Sequence, residues 1–292
     1  MKNIKLLVVA MVVAMFAISC QQFNENRLLL KGKARFVACT EETSRTTMGE
    51  NYSVVWSEGD QIKMFGVKDG QAVSELQPYT LIEGAGSTNG LFEGELDQVY
   101  DSYYALYPVS MFYEAYSNGV LEIDVPVEGN IFAELNFVDG ANPMVAVGDK
   151  DNGLQFHNIF GILELRVKGA GTLESIVIED VGTPNGALAG RFLVSVATLE
   201  VVPNGGSARI AAQFASPLVL SESDARSIYA ILPSGEYKQL KVTTIDSAGN
   251  STTRIASFPI TIERSKITPV KEFLHKVNGQ LENPNENPET GW

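Results

Sequence analysis

Cysteine and histidine are nearly missing from this chain, with two of each in 292 residues. Cys20 and Cys39 cannot build a disulfide framework, so the fold has to rest on its apolar core. His157 and His275 leave little for imidazole catalysis, and neither an HExxH helix nor a GxSxG elbow occurs. Basic residues are short as well, 22 against 35 acidic ones, for a net charge of −13. A surface of that sign repels phosphate backbones and anionic headgroups, which argues against nucleic acid as a partner. Amphipathic helical spacing is also scarce until the C-terminus. The apolar run Leu6 to Ile18 covers 13 residues, short of the roughly 20 that a membrane-crossing helix needs.

That run is nevertheless the chain's most informative segment. Lys2 and Lys5 precede it, and Ala17-Ile18-Ser19-Cys20 closes it, which reads as a removable export signal over residues 1–19. Small residues before a cysteine resemble the bacterial lipobox, in which the thiol is lipidated and becomes the mature N-terminus. Ala17 stands where leucine is usual, and ordinary cleavage near Ala17 is the alternative. Removing 1–19 takes Lys2 and Lys5 away and moves the net charge to −15. Attachment of so acidic a body to a membrane then falls to acyl chains on Cys20, each buried methylene contributing about 0.8 kcal/mol. Residues 20–27 would be the tether.

Beyond the tether, period-two alternation dominates. Leu121, Ile123 and Val125 alternate with Glu122 and Asp124; Leu163, Leu165 and Val167 with Glu164 and Arg166; Leu240, Val242 and Thr244 with Lys241 and Thr243. This is the pattern of half-buried antiparallel strands, so the chain is expected to be all-β. Turn signals separate the runs at Lys68-Asp69-Gly70, Ser117-Asn118-Gly119, Asp151-Asn152-Gly153, Pro203-Asn204-Gly205-Gly206 and Ser247-Ala248-Gly249-Asn250. Tyr104-Ala105-Leu106-Tyr107-Pro108 returns as Tyr229-Ala230-Ile231-Leu232-Pro233, and Leu91-Phe92-Glu93-Gly94 as Leu188-Ala189-Gly190. These echoes favour two tandem β-sandwich domains over one large barrel, residues 20–152 and 153–277, with a loose tail over 278–292. Between Val270 and Leu281 a short helix and an irregular final strand fit equally well.

Signals for chemistry are weak. Cys39, in the alternating segment from Ala34, reads as a small buried hydrophobe, and His157 as a structural side chain at a junction. Gly84 to Gly90 is glycine-rich without the lysine of a phosphate loop, and reads as a flexible connection. Asp149-Lys150-Asp151-Asn152-Gly153 lacks the later ligands of a calcium loop. No carboxylate spacing points to a glycosidase. The sequence therefore suggests no enzyme, no metal site and no cofactor.

Phe36-Val37-Ala38, then Ser44-Arg45-Thr46-Thr47, then Val55-Trp56-Ser57-Glu58-Gly59-Asp60-Gln61-Ile62 follow in order, with Tyr104 to Pro108 and Leu154-Gln155-Phe156-His157-Asn158 beyond. Beside a lipoprotein signal, this series resembles the fimbrillin family of Bacteroidetes surface lipoproteins. The resemblance implies two transthyretin-like β-sandwich domains and a pilus subunit exported as a lipidated precursor. Its partners would be other pilus subunits, the outer membrane through the lipid and, for adhesive members, a host or bacterial surface receptor. In pilus-forming members an arginine-directed protease removes the N-terminal segment with its first strand, and a neighbour's strand fills the groove by β-augmentation. Here the cut would fall between Arg45 and Thr46, and Leu28, Leu30, Phe36 and Ala38 would mark the donor segment or its groove. Asp246-Ser247-Ala248 resembles Bacteroidetes O-glycosylation sites, which makes Ser247 a candidate.

Two readings stay open beside an assembling shaft subunit. Asn278 to Trp292 holds only Leu281 and Trp292 as large apolar groups, a poor donor strand, so an uncleaved anchor fits nearly as well. Tyr100, Tyr103, Tyr104, Tyr107, Phe112, Tyr113 and Tyr116 cluster closely enough to suggest a carbohydrate-binding, non-polymerising surface lipoprotein instead.

Overall fold

A computed structural model describes residues 32–45, 51–116, 118–133, 140–149, 151–183 and 186–275. Strands come in chain order as β1 (Lys33–Thr40), β2 (Glu42–Arg45), β3 (Asn51–Ser53), β4 (Gln61–Lys68), β5 (Gln71–Glu75), β6 (Tyr79–Glu83), β7 (Asn89–Glu95) and β8 (Ser102–Tyr107). A 3-10 turn, Val109–Met111, leads to β9 (Phe112–Tyr116), β10 (Val120–Val125), β11 (Ile131–Phe132), β12 (Met144–Asp149) and β13 (Gly153–Asn158). The rest of the chain supplies β14 (Phe160–Gly169), β15 (Thr172–Asp180), β16 (Ala189–Ser195), β17 (Val201–Ser207), β18 (Arg209–Val219) and β19 (Arg226–Pro233). It ends with β20 (Gly235–Tyr237), β21 (Leu240–Asp246), β22 (Ser251–Ile255), β23 (Ile260–Ile262), β24 (Lys266–Pro269) and β25 (Phe273–His275). The fold is all-β, as the alternation requires.

The first sheet runs β5-β4-β6-β7-β1-β13-β12-β8, and β8 pairs back onto β4. One edge of β4 is shared by β6 at Gln61 and Ile62 and by β5 from Phe65 onward, while Lys63 to Val67 face β8. The pairing therefore closes the sheet on itself. Alternation then sends Phe36, Ala38, Met64, Tyr103, Ala105, Met144, Ala146 and Phe156 into a common interior. Beyond it, a sheet ordered β11-β19-β14-β24-β2-β3 faces a four-stranded sheet, β18-β15-β21-β22, across a core that includes Leu163, Leu165, Ile176, Ile178, Ile228 and Val242.

A third core joins the two. The sheet β17-β16-β10-β9 brings Leu121, Ile123, Phe192 and Val194 against Phe65, Leu106 and Val145 of the closed sheet and against Phe160, Ile231 and Ile267 of its neighbour. The division expected at residue 152 falls between β12 and β13, which pair from Met144↔Asn158 to Asp149↔Gly153. The Tyr-Ala echo has a structural counterpart. β8 and β19 each turn the alanine inward, Ala105 to the closed sheet and Ala230 to the second core, while Leu106 and Ile231 meet in the shared one. The fainter Leu91/Leu188 echo does not, since β7 lies in the closed sheet and β16 in the joining sheet.

Two expectations need correction. Pro203-Asn204-Gly205-Gly206 is not a turn but lies within β17, paired to β16 across an irregularity between Gly190 and Phe192. As an edge strand, β17 tolerates the missing proline N–H, and the glycines allow the close approach, since a Cβ on Gly206 would meet the Ala189 carbonyl oxygen at 2.1 Å. Cys39 is buried as expected, at 2% exposure, but it is disulfide-bonded rather than a plain hydrophobe. Toward the C-terminus, β24 and β25 pair parallel with β14, so the strand reading prevails over the helix as far as His275.

Candidate functional site: the first strand and its clasp

β1 lies inside the closed sheet, antiparallel to β7 from Lys33↔Glu95 to Cys39↔Asn89 and parallel to β13 from Ala38↔Leu154 to Thr40↔Phe156. Phe36 meets Tyr79 and Tyr103 edge-on, with ring centroids 5.6 and 4.7 Å away. Outside the barrel, Lys33 and Arg35 reach Glu93 of β7 at 2.7 and 2.9 Å. An open cavity of about 800 Å3 flanks the start of the strand, between Lys33, Glu75, Gln77, Glu95 and Asp97.

The Trp56 to Asp60 landmark closes the interior beside β1. The Trp56 indole is 1% exposed, packs edge-on to Phe92, Tyr107 and Phe156, and donates its Nε1–H to the Ala38 carbonyl at 3.2 Å. Gly59 supplies a φ of +88° that lets the chain turn back. Asp60 then accepts from the Ser57 N–H and the Tyr107 hydroxyl, both at 2.8 Å. Gly84 to Gly90, read as a flexible connection, is tied to the same place: Gly86 N–H donates to the Trp56 carbonyl, and Thr40 N–H to that of Thr88.

At its far end β1 leads into Glu41, which holds together parts distant in the chain. Its Oε1 accepts from Arg264 Nη1 at 2.6 Å, from the Asn158 N–H at 2.7 Å and from the Ser265 hydroxyl. Its Oε2 lies 3.0 Å from His157 Nδ1. His157 and Asn158 end β13, whereas Arg264 and Ser265 form the turn between β23 and β24. Ser265 sits at φ +57°, a conformation that costs a non-glycine residue on the order of 1 kcal/mol and is held there by its surroundings. Burial pushes the Glu41 carboxyl up, but hydrogen bonds from His157, Ser265 and Arg264 outweigh it and leave the group below its ordinary value. Sequence reading placed His157 at a junction but missed Glu41, Arg264 and Ser265. A carboxylate within Glu41-Glu42-Thr43-Ser44 carries no local sign of partners more than 200 residues away.

Of the other sites named from sequence, Cys20, Leu28, Leu30 and Thr46 lie outside the described residues. Phe36 and Ala38 are in the β1 interior row, at 3% and 0% exposure. Arg45 ends β2, its Cα opposite Ile267. Ser247 is exposed in the β21–β22 turn, where Asp246 is occupied by the N–H groups of Ala248 and Asn250. Asp149 similarly accepts from the N–H groups of Asp151 and Asn152. Most rings of the aromatic cluster turn inward: Tyr100, Tyr103 and Tyr107 are buried, and Phe112 packs on Phe65. Tyr113 and Tyr116 are exposed, but the Arg191 guanidinium covers the Tyr113 ring at 3.7 Å and Tyr116 donates to Glu122 at 2.7 Å.

No family model and no curated protein matches the chain. Among solved structures it is similar to a "putative cell adhesion protein" from Bacteroides ovatus, 12% identical over 82% of this chain and 91% of that one, with a TM-score of 0.52. It is similar also to a fimbrial protein from Bacteroides ovatus, 13% identical over 85% of this chain and 49% of that one, TM-score 0.38. The tip fimbrial protein Mfa3 from Porphyromonas gingivalis gives 12% over 83% and 96%, TM-score 0.36. The first of these likenesses is one of fold.

Proposed function

We propose that this chain is a fimbrillin-like structural and adhesion subunit, exported as a lipoprotein through Cys20 and assembled by strand exchange after a cut between Arg45 and Thr46. The observation that carries the reading is the position of β1. It is an interior strand, joined to the rest through the short segment that ends at Arg45, so one cut downstream makes it separable. Loss of β1 would strip β7 and β13 of backbone partners and leave the Phe36 and Ala38 sites empty. Each unmet buried polar group costs about 1–3 kcal/mol, and emptying a phenylalanine site about 3–5 kcal/mol, so the vacated slot demands a replacement strand. Shared fold with a cell adhesion protein supports the same role. Within this reading each half follows the transthyretin-like sandwich plan, the first with its two faces joined through β4. Lipidation would use the sulfur of Cys20, and Cys39 would then be a thiol in the anchored form.

Electron microscopy of the purified chain before and after limited trypsin digestion, with N-terminal sequencing, tests the proposal. Filaments whose subunits begin at Thr46, absent for Arg45→Ala, are the expected result. Filaments from Arg45→Ala equal to wild type would remove the cleavage step.

One observation favours a second reading. The β2 backbone is paired on both sides, with β3 through Glu42↔Ser53 to Ser44↔Asn51 and with β24 through Ser44↔Lys266 and Arg45↔Ile267. Proteases bind extended, unpaired backbone, so pairing protects this stretch. A chain never cut there would keep β1 and its acyl anchor, and would serve at the base of a pilus.

A further inference from the structure

We propose that the β1 slot selects its incoming strand by a carboxylate, seated where Glu41 now sits. The inference rests on the strand-exchange reading above, because Glu41 lies on the segment that a cut after Arg45 releases. When that segment leaves, Arg264 Nη1, the Ser265 hydroxyl, the Asn158 N–H and His157 Nδ1 still converge on the place of one carboxylate. Four such groups, one of them a permanent cation, form a built anion cradle rather than an incidental salt bridge. Side chains that sit three residues apart on a strand project from opposite faces. Glu41 thus stands to the other side of the strand from Ala38 and Phe36, which fill the barrel interior. The slot therefore reads two things together: apolar side chains of the sizes of Phe36 and Ala38 on one face, and an acid three residues beyond the alanine site on the other. A strand with an amide or apolar group there would leave the Arg264 charge unpaired in a part-buried place, which is how such sites reject wrong partners. The occupant is an extended strand of a partner subunit bearing glutamate or aspartate at that step. The lowered pKa of Glu41 agrees with a cradle tuned to the charged form.

The test uses two labelled peptides with the sequence of residues 33–41, both carrying Cys39→Ser, one with Glu41 and one with Glu41→Gln. Each is offered to the full chain after cleavage by an arginine-directed protease, and binding is read by fluorescence anisotropy. The glutamate peptide should bind at least about ten-fold tighter, and the gap should close on Arg264→Met and narrow on Ser265→Ala. The peptide comparison on the unaltered chain needs neither variant to fold. Equal affinities of the two peptides would overturn the carboxylate selection while leaving the slot in place. If neither peptide binds a cut chain that circular dichroism finds folded, or if the chain is not cut at Arg45, the strand-exchange reading falls and this inference with it.

Discussion

Glu41 and His275 make opposite use of burial. Glu41 gathers donors and keeps its charge, whereas His275, 2% exposed, loses it: desolvation drives its pKa down, and Asp246 only partly opposes this. At 3.7 Å from Nε2 the Asp246 carboxylate is beyond hydrogen-bond reach, and among the described residues only Nδ1 is engaged, 2.8 Å from the Thr244 hydroxyl. Both groups make the fold acid-sensitive, in successive windows. The folded His275 pKa lies below the ordinary 6.5, so the unfolded chain takes up the proton first and stability falls as pH drops below 6.5, until the folded value is passed. The folded Glu41 pKa lies below the ordinary 4.5, so its contribution is whole above 4.5 and is lost as pH falls through the folded value. Urea melts should show an early decline between about pH 7 and pH 5 that His275→Gln reduces, and a later one that Glu41→Gln reduces. A melt midpoint flat from neutrality to about pH 5 would contradict the His275 assignment.

Strands were the most legible elements because their signals are local. Asp69 and Gly70 adopt φ of +51° and +73° between β4 and β5, and Gly119, Gly153 and Gly249 take positive φ at three further turns named from sequence. Pro203 to Gly206 misled because the same residue types serve a tight turn and a bulged edge strand, and only the neighbouring strand decides between them. β7 illustrates the second use of glycine. A Cβ on Gly94 would lie 2.6 Å from the Tyr79 ring, and one on Gly90 would lie 2.8 Å from Trp56. Glycine there is space left for a neighbour's aromatic side chain rather than freedom to turn. Gly94→Ala should therefore destabilise the chain by about 1–3 kcal/mol through overpacking, read as a lower urea midpoint at unchanged m-value. A change below about 0.5 kcal/mol would mean that Tyr79 can shift.

At the scale of the molecule the sequence was legible in class and illegible in connection. Alternation announces strands but not which strand lies beside which, so nothing near Leu121 or Phe192 says that β10 and β16 pair across more than sixty residues of chain. Nor does the pattern around Glu41 point to Arg264. The joining sheet takes β9 and β10 from one half of the chain and β16 and β17 from the other, and its core is independent of β1. Displacing β1 therefore opens the closed sheet without parting the two halves. Trp56 makes that opening visible from inside. The chain has two tryptophans, and this one donates to the backbone of the strand that would leave. With Trp292→Phe as background, its emission should move to longer wavelength as the slot empties and return as a new strand enters. The indole that closes the barrel would thereby act as an intrinsic optical gauge of whether each subunit is vacant or filled.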